Sequence, residues 1–116
     1  MLGEKDSNRI RHMLDHSREA VSLARKHTRA DLDTDRVLEL ALVRLIEIIG
    51  EAAARVSSEA KAEHPQIPWS PITGMRNRLI HGYDSIDHDA LWDTLTDDLP
   101  PLIAVLEQVA SPSESG

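Results

Sequence analysis

The 116-residue sequence contains no cysteine and no phenylalanine, and only two tryptophans and one tyrosine. Without cysteine there can be no disulfide and no thiolate metal site. With so few aromatics, the core must be assembled from Leu, Ile, Val and Ala. That palette suits packed helices better than sheets, which favour aromatic and β-branched residues. No stretch approaches the roughly 18 uninterrupted apolar residues of a membrane span. The opening MLGEKDSNR lacks an apolar h-region and does not read as a signal peptide, so a cytoplasmic protein away from the membrane is expected. Basic excess is missing too. Thirteen Lys and Arg face twenty Asp and Glu, a formal net charge of −7. This argues against broad nonspecific nucleic-acid binding, which uses a basic footprint. It leaves room for a small local basic site and suits a protein partner with a basic face. The length is that of one domain, small enough that a partner subunit would add noticeably to its stability. No internal repeat is visible.

Hydrophobic spacing predicts a first helix from about Asn8 to Lys26. Ile10, Met13, Leu14, Ser17, Val21 and Ala24 lie on one face, and Asp6 or Ser7 is placed to cap it. Thr28 to Asp33 reads as a polar connection. A longer second helix is predicted from about Thr34 to Glu59. Its apolar residues, from Leu38 through Leu42, Ile46 and Ile49 to Val56, fill about half the circumference. That is wider than the stripe of an ordinary surface helix, so the helix should touch several neighbours or a second subunit. Gly50 costs about 1 kcal/mol relative to Ala in a helix interior and is expected where another backbone comes close. Pro65 and Pro68 mark a loop. Ser70-Pro71 reads as an N-cap followed by proline at the first helical position of a third helix, with Gly82 ending or bending it. Asp87 should cap a fourth helix from His88 to about Val109, which Pro100 and Pro101 either kink or split. The fold class is therefore all-α, an up-and-down bundle of four to five helices over residues 1–110. The polar SPSESG of residues 111–116 reads as a disordered tail.

The third helix carries the residues of chemical interest. Ile72, Met75 and Leu79 define its apolar stripe. On a continuous helix Arg76 lies roughly 40° and Tyr83 roughly 20° from Ile72, at or inside the buried face. Buried arginine is rare unless paired. His81 falls roughly 140° from Arg76, so the two cannot converge unless the helix bends near Gly82 or a second subunit supplies its own copy. On geometry alone the bland alternative is a snorkelling arginine, a histidine favouring the helix dipole and a core tyrosine. His12 and His16 have the spacing of a metal pair but no carboxylate-rich signature beside them, and read as solvated; no metal or cofactor is expected. Arg44, Glu47, Glu51 and Arg55 form i, i+3 and i, i+4 contacts that support the helix. The alternative is that Glu47 or Glu51 anchors Arg76. The acidic run Asp84, Asp87, Asp89, Asp93, Asp97 and Asp98 reads as capping and solvated surface, with a basic partner face as its other use. Trp69 and Trp92 read as packing anchors.

The stretch from Trp69 to Asp87, W-x2-I-x-G-M-R-N-x-L-x-H-x-Y-x3-D, resembles the signature of HepT-like proteins of the HEPN superfamily. Their motif is Arg, four residues, His, one residue, Tyr, normally with Asn after the Arg. Here these are Arg76, Asn77, His81 and Tyr83, without departure. The stretch from Ala41 to Glu59 is similar to the family's long second helix, and the likeness runs from the first helix to about Val109. It implies a helical bundle that forms a homodimer with two motifs facing each other in a cleft. It also implies the toxin of a type VII-like toxin–antitoxin pair, a metal-independent endoribonuclease. Its partner would be a minimal nucleotidyltransferase antitoxin that transfers AMP to Tyr83.

The residue types suit RNA cleavage by the ribose 2′-OH, which needs a base and an acid. Imidazole, with an ordinary pKa near 6.5, serves either role, and a dimer supplies two. Arg76 would hold the phosphate bidentately and stabilise its developing charge. Asn77 would orient His81 or the phosphate, Tyr83 would position the nucleotide, and Arg78 would add positive potential. The competing reading is a noncatalytic HEPN module that binds a nucleotide or a nucleotidyltransferase. The acidic charge favours that module, and the intact Arg-Asn-His-Tyr set favours the ribonuclease.

Overall fold

A computed structural model describes residues 2–83 and 85–110. Asp84 and the 111–116 tail lie outside the described residues. The elements are helices α1 (Glu4–Ala24), α2 (Asp31–Thr34), α3 (Arg36–Arg55), α4 (Ser58–Glu63), α5 (Trp69–Thr73), α6 (Met75–Leu79), α7 (His88–Asp93) and α8 (Leu99–Ala110). A π-helical turn over Thr94–Asp98 joins α7 to α8. The fold is the all-α bundle expected from the composition.

Helices α1 and α3 run antiparallel. The start of α1 is tied to the end of α3, where Arg9 Nη1 donates to the Arg55 carbonyl at 2.8 Å. Helix α8 lies along the other side of α1, linked by Arg18 and Glu107 at 2.6 Å. The core is aliphatic, with Ile10, Met13, Leu14, Leu42, Ile46, Ile49, Leu79, Leu91, Leu95 and Leu99 fully buried. Helix α3 packs on α1, α2, α5 and α6 at once, which explains the width of its apolar face. Gly50 stands where expected. A Cβ built there would sit 3.4 Å from the Ile72 carbonyl oxygen, so α5 crosses α3 at that point.

Several boundaries differ from the sequence reading. Helix α1 starts at Glu4, with Gly3 as N-cap and no side-chain cap. Asp6 is therefore inside the helix, and its carboxylate accepts instead from the backbone N–H (2.9 Å) and hydroxyl (2.6 Å) of Ser57. The connection after α1 holds the short helix α2. The long second helix begins after Asp35, whose side chain accepts from Leu38 N, and ends at Arg55. Ser57 then caps the separate helix α4. Pro68, not Ser70, is the N-cap of α5, and the expected third helix is broken at Gly74. The last segment is divided, as Pro100 and Pro101 predict, into α7 and α8, though the π-helical turn over Thr94–Asp98 joins them without a gap. The two prolines fall in the first turn of α8, and the preceding turn widens so that Leu99 N–H reaches the Thr94 carbonyl. The Thr94 and Thr96 hydroxyls donate to the Ala90 and Trp92 carbonyls, both at 2.9 Å. Pi-type widening of this kind accommodates main-chain groups that proline leaves without a donor.

Ser17 is fully buried in the middle of α1, and among the described residues its hydroxyl has no hydrogen-bond partner. An unsatisfied buried hydroxyl carries its desolvation cost uncompensated, and alanine is the better helix former. Ser17→Ala is therefore expected to stabilise the fold by about 1 kcal/mol, measured by urea denaturation. An equal loss of stability would mean that the hydroxyl is satisfied.

Candidate active site

Helix α6 is short because the chain leaves helical geometry at Ile80 (φ −80, ψ 125). Ile80 then pairs with Ile86 in an antiparallel bridge. His81 N donates to Ser85 O and Asp87 N to Leu79 O, both at 2.8 Å. The Ser85 hydroxyl donates to the His81 carbonyl. Gly82, at φ 81, supplies the left-handed residue that this loop needs and that a side chain would strain. The motif is thus split between a one-turn helix carrying Arg76 to Arg78 and a pinned loop carrying His81 and Tyr83.

This corrects the helical phase assumed for the motif. Arg76 is half exposed, its side chain at 52%, and Tyr83 is fully exposed, where a continuous helix would have buried both. The break at Gly74 and the end at Leu79 reset the angles. The helix does stop short of Gly82, so the 140° separation of Arg76 and His81 no longer applies. Asn77 and His81 are exposed as well. Arg78 diverges from Arg76. It approaches Asp98 at 3.9 Å and donates to the Pro71 carbonyl at 3.2 Å, toward α8.

Arg76 turns toward α3, where its Nε donates to Glu47 Oε2 at 2.7 Å. The anchoring reading for Glu47 therefore holds alongside helix support. Arg44 reaches both Glu47 (3.8 Å) and Glu51 (3.5 Å), so helix support and anchoring share one chain of charges. The Nε contact fixes the guanidinium through one edge, leaving its Nη groups for an anion.

The sequence reading missed what lies beneath the loop. Glu39 is the one buried carboxylate among the described residues, at 5% exposure. It accepts from Arg36 Nη1 at 2.7 Å and faces His88 Nε2 at 2.5 Å. His88 Nδ1 lies 2.9 Å from Asp33, and Arg29 bridges Asp33 and Asp89. Both imidazole nitrogens face carboxylates, so the doubly protonated ring satisfies both contacts. Hydrogen bonds to Glu39 and then Asp33 raise the His88 pKa above its ordinary value. Those from His88 and Arg29 lower that of Asp33. His88 follows Asp87, which closes the loop and caps α7 through Ala90 N at 3.0 Å. The cluster thus clamps the motif loop onto the start of α3. The available signal was Glu39 standing seven residues before Ile46, a carboxylate in core register.

A pocket of about 160 Å³ lies between loop and helix, lined by Leu40, Val43, Ile80, Tyr83 and Ile86 with Arg36 and Glu39 at its edge. Leu40 and Val37 are the other exposed large hydrophobic residues beside Tyr83. His12 and His16 hold one another through a ring nitrogen and the His12 carbonyl at 2.8 Å. No group of three metal-ligating side chains occurs among the described residues. Both tryptophans are partly buried against the core; Trp69 Nε1 also donates to the His64 carbonyl at 3.0 Å, and Lys61 stands over its ring. No helix is long and apolar enough to cross a membrane among the described residues.

Fold and site together define a small all-α protein that displays an Arg-x4-His-x-Tyr stretch across a short helix and an exposed loop. The chain belongs to the HepT-like family: residues 13–109 match the family described as Ribonuclease HepT-like. It is similar to a protein named "Probable ribonuclease HepT" from Thermococcus cleftensis, 37% identical over 78% of this chain and 86% of the relative. It is also similar to two proteins named "Putative RNase". One, from Caldanaerobacter subterraneus subsp. tengcongensis, is 37% identical over 68% of this chain and 70% of the relative. The other, from Methanocaldococcus jannaschii, is 35% identical over 65% and 69%. No solved structure matches the chain.

The clamp has a pH signature. His88, with its raised pKa, contributes stability that is fully present below its unfolded value and lost as pH rises through the folded one. Asp33, with its lowered pKa, contributes stability present above its unfolded value and lost as pH falls through the folded one. The clamp is therefore strongest between about pH 4 and pH 6.5. His88→Ala is expected to cost about 1–3 kcal/mol there, because Glu39 stays buried with one partner fewer, and to cost less at alkaline pH. Denaturation curves at pH 6 and pH 9 test this; a loss independent of pH would leave His88 with only a packing role.

Proposed function

We propose that this protein is a metal-independent endoribonuclease, the toxin of a pair whose antitoxin is a minimal nucleotidyltransferase. The observation that carries the reading is Arg76, held by Glu47 through Nε with no other carboxylate on its guanidinium among the described residues, next to a pinned loop that exposes His81 and Tyr83. Membership of the HepT-like family supports the same conclusion.

In the reaction, the ribose 2′-oxygen attacks the adjacent phosphorus. The P–O2′ bond forms, the P–O5′ bond breaks, and the products are a 2′,3′-cyclic phosphate and a free 5′-hydroxyl. One His81 takes the 2′-OH proton, and the partner subunit's His81 gives a proton to the departing 5′-oxygen. Arg76 binds the phosphate and balances the charge that develops on its oxygens. Asn77 orients His81 or the phosphate, and Arg78 adds positive potential at longer range. Two histidines require a homodimer. The exposed Val37, Leu40 and Tyr83, on the side of α3 nearest the loop, offer an apolar contact for a second copy. AMP on Tyr83 adds negative charge and bulk beside Arg76. There it would form charge-assisted hydrogen bonds and exclude RNA.

His81→Ala and Arg76→Ala are each expected to lower RNA cleavage at least a hundredfold with the helical circular dichroism signal unchanged. Wild-type cleavage should persist in EDTA, and light scattering of the same sample should report a dimer. Full activity in either variant would remove the mechanism. A wild type that cleaves no RNA yet binds a nucleotidyltransferase would be the noncatalytic module instead.

Tyr83 is the only tyrosine in the chain, so its modification can be assigned without ambiguity. Mass spectrometry after co-expression with a minimal nucleotidyltransferase should find one or more AMP groups on the peptide that contains it. An unmodified peptide from a fully neutralised complex would show inhibition by binding alone.

A further inference from the structure

The acidic chain spends most of its arginines on carboxylates. Arg18 pairs with Glu107, Arg29 with Asp33 and Asp89, Arg36 with Glu39, Arg44 with Glu47 and Glu51, and Arg76 with Glu47. Among the described residues the pattern fails at both ends of α1: Arg25 and Lys26 line a groove at its C-terminal end without a carboxylate at ion-pair distance, and a second such groove lies at its start. A groove of about 340 Å³ between the start of α1 and the end of α3 is lined by Lys5, Asn8, Arg9, His12 and Arg55, together with the carboxylate of Glu51. Among the described residues, neither Lys5 nor Arg55 has a carboxylate at ion-pair distance. Arg9 is fixed by its bond to the Arg55 carbonyl. The two nearby carboxylates are already engaged: Asp6 by Ser57 and Glu51 by Arg44 at 3.5 Å. Three permanent cations and a histidine thus outnumber one carboxylate, already engaged, in a concave surface of a protein of net charge −7.

The groove and the candidate site are joined by one ridge of α3. Positions 44, 47, 48, 51 and 55 of α3 follow i, i+3, i+4, i+7 and i+11 spacing and form one ridge along the helix. Glu47, at one end of that ridge, holds Arg76. Arg55, at the other, lines the groove. At 1.5 Å per residue the two positions are about 12 Å apart along the helix axis, within reach of a few linked nucleotides. A polyanion bound at Arg76 and running along α3 meets unpaired cations only at its far end.

We propose that the Lys5–Arg9–Arg55 groove is a phosphate-binding subsite for the backbone of single-stranded RNA, holding the strand beyond the bond cut at Arg76 and His81. This rests on the ribonuclease reading. The contacts are to phosphate and carry no sequence information, so the groove contributes affinity and register rather than base preference. The extended strand is the ligand that fits both the spacing and the chemistry, because its charges are covalently linked at intervals that a free anion lacks.

The probe is a 2′-O-methyl oligoribonucleotide of mixed sequence, which has the phosphates of RNA and no 2′-hydroxyl to attack. Its binding is followed by fluorescence anisotropy over a range of salt concentrations. The double variant Lys5→Gln/Arg55→Gln removes two exposed cations and should leave the circular dichroism spectrum unchanged. The expected result is binding weaker by about tenfold, with the slope of log K against log salt reduced by about 0.7 for each lost contact. On cleavable RNA the same variant should raise KM far more than it lowers kcat. The control Arg25→Gln/Lys26→Gln, at the far end of α1, should bind as wild type does. An affinity and salt slope equal to wild type would overturn the groove while leaving the ribonuclease reading intact, provided the wild type cleaves. Wild-type protein that neither binds nor cleaves RNA would overturn both. Unchanged RNA binding with weakened binding to the nucleotidyltransferase would assign the groove to a protein partner and overturn the RNA subsite.

Discussion

The structure depends on the burial of one helix from several sides. Helix α3 presents Leu38, Leu42, Leu45, Ile46, Ile49, Ala52 and Ala53 to its neighbours, all of them buried. At about 25 cal/mol per Å² of apolar surface removed from water, such a face is the largest single contribution this small chain can make to its own stability. The other elements are arranged to cover it. Helix α1 lies antiparallel along one side, α5 crosses at Gly50, and α6 leans on it through Leu79 and the Arg76–Glu47 pair. Because the core holds no phenylalanine, close approach replaces bulk. Ala20, Ala24, Ala52 and Ala53 are buried where helices must come near.

Function follows from what that arrangement leaves uncovered. The motif loop lies on the first turns of α3, held from below by the Glu39–His88–Asp33 cluster and from the side by the Ile80–Ile86 bridge. A carboxylate buried at such a point is costly unless every oxygen is engaged. Here Arg36 and His88 engage both. A loop fixed at its base can expose His81 and Tyr83 and still hold them in a defined place.

Charge is organised around the same helix. Paired arginines on α1, α3 and α6 and in the turn before α2 neutralise the acidic surface locally, and most of those contacts are exposed and individually weak. Among the described residues they leave Lys5 and Arg55 without a carboxylate partner at one end of α1, and Arg25 and Lys26 at the other. Positive potential therefore becomes a local property, set by which carboxylates are already engaged, and the net charge of the chain says little about it.

Much of this was legible in the sequence. Aromatic poverty and 3.6-residue spacing determine an all-α bundle, because only helices bury Leu, Ile and Ala in that rhythm. The half-circumference apolar face and Gly50 announce a central helix crossed by another backbone. Asp87 before an apolar run marks the last helical segment. The Arg-Asn-x3-His-x-Tyr spacing marks the residues on which the resemblance to the HepT-like family rests. Tertiary structure alone decided the rest. Helical phase could not be carried from Ile72 to Tyr83, because the helix breaks at Gly74 and gives way at Ile80 to the bridge with Ile86. Asp6 was a plausible cap until Ser57, fifty-one residues on, engaged it. Whether Glu47 held Arg76 as well as supporting its own helix depended on where α6 docks. Glu39 and His88 meet across forty-nine residues. Periodicity can place a side chain on a face of its own helix, but only packing determines which charged group it meets there.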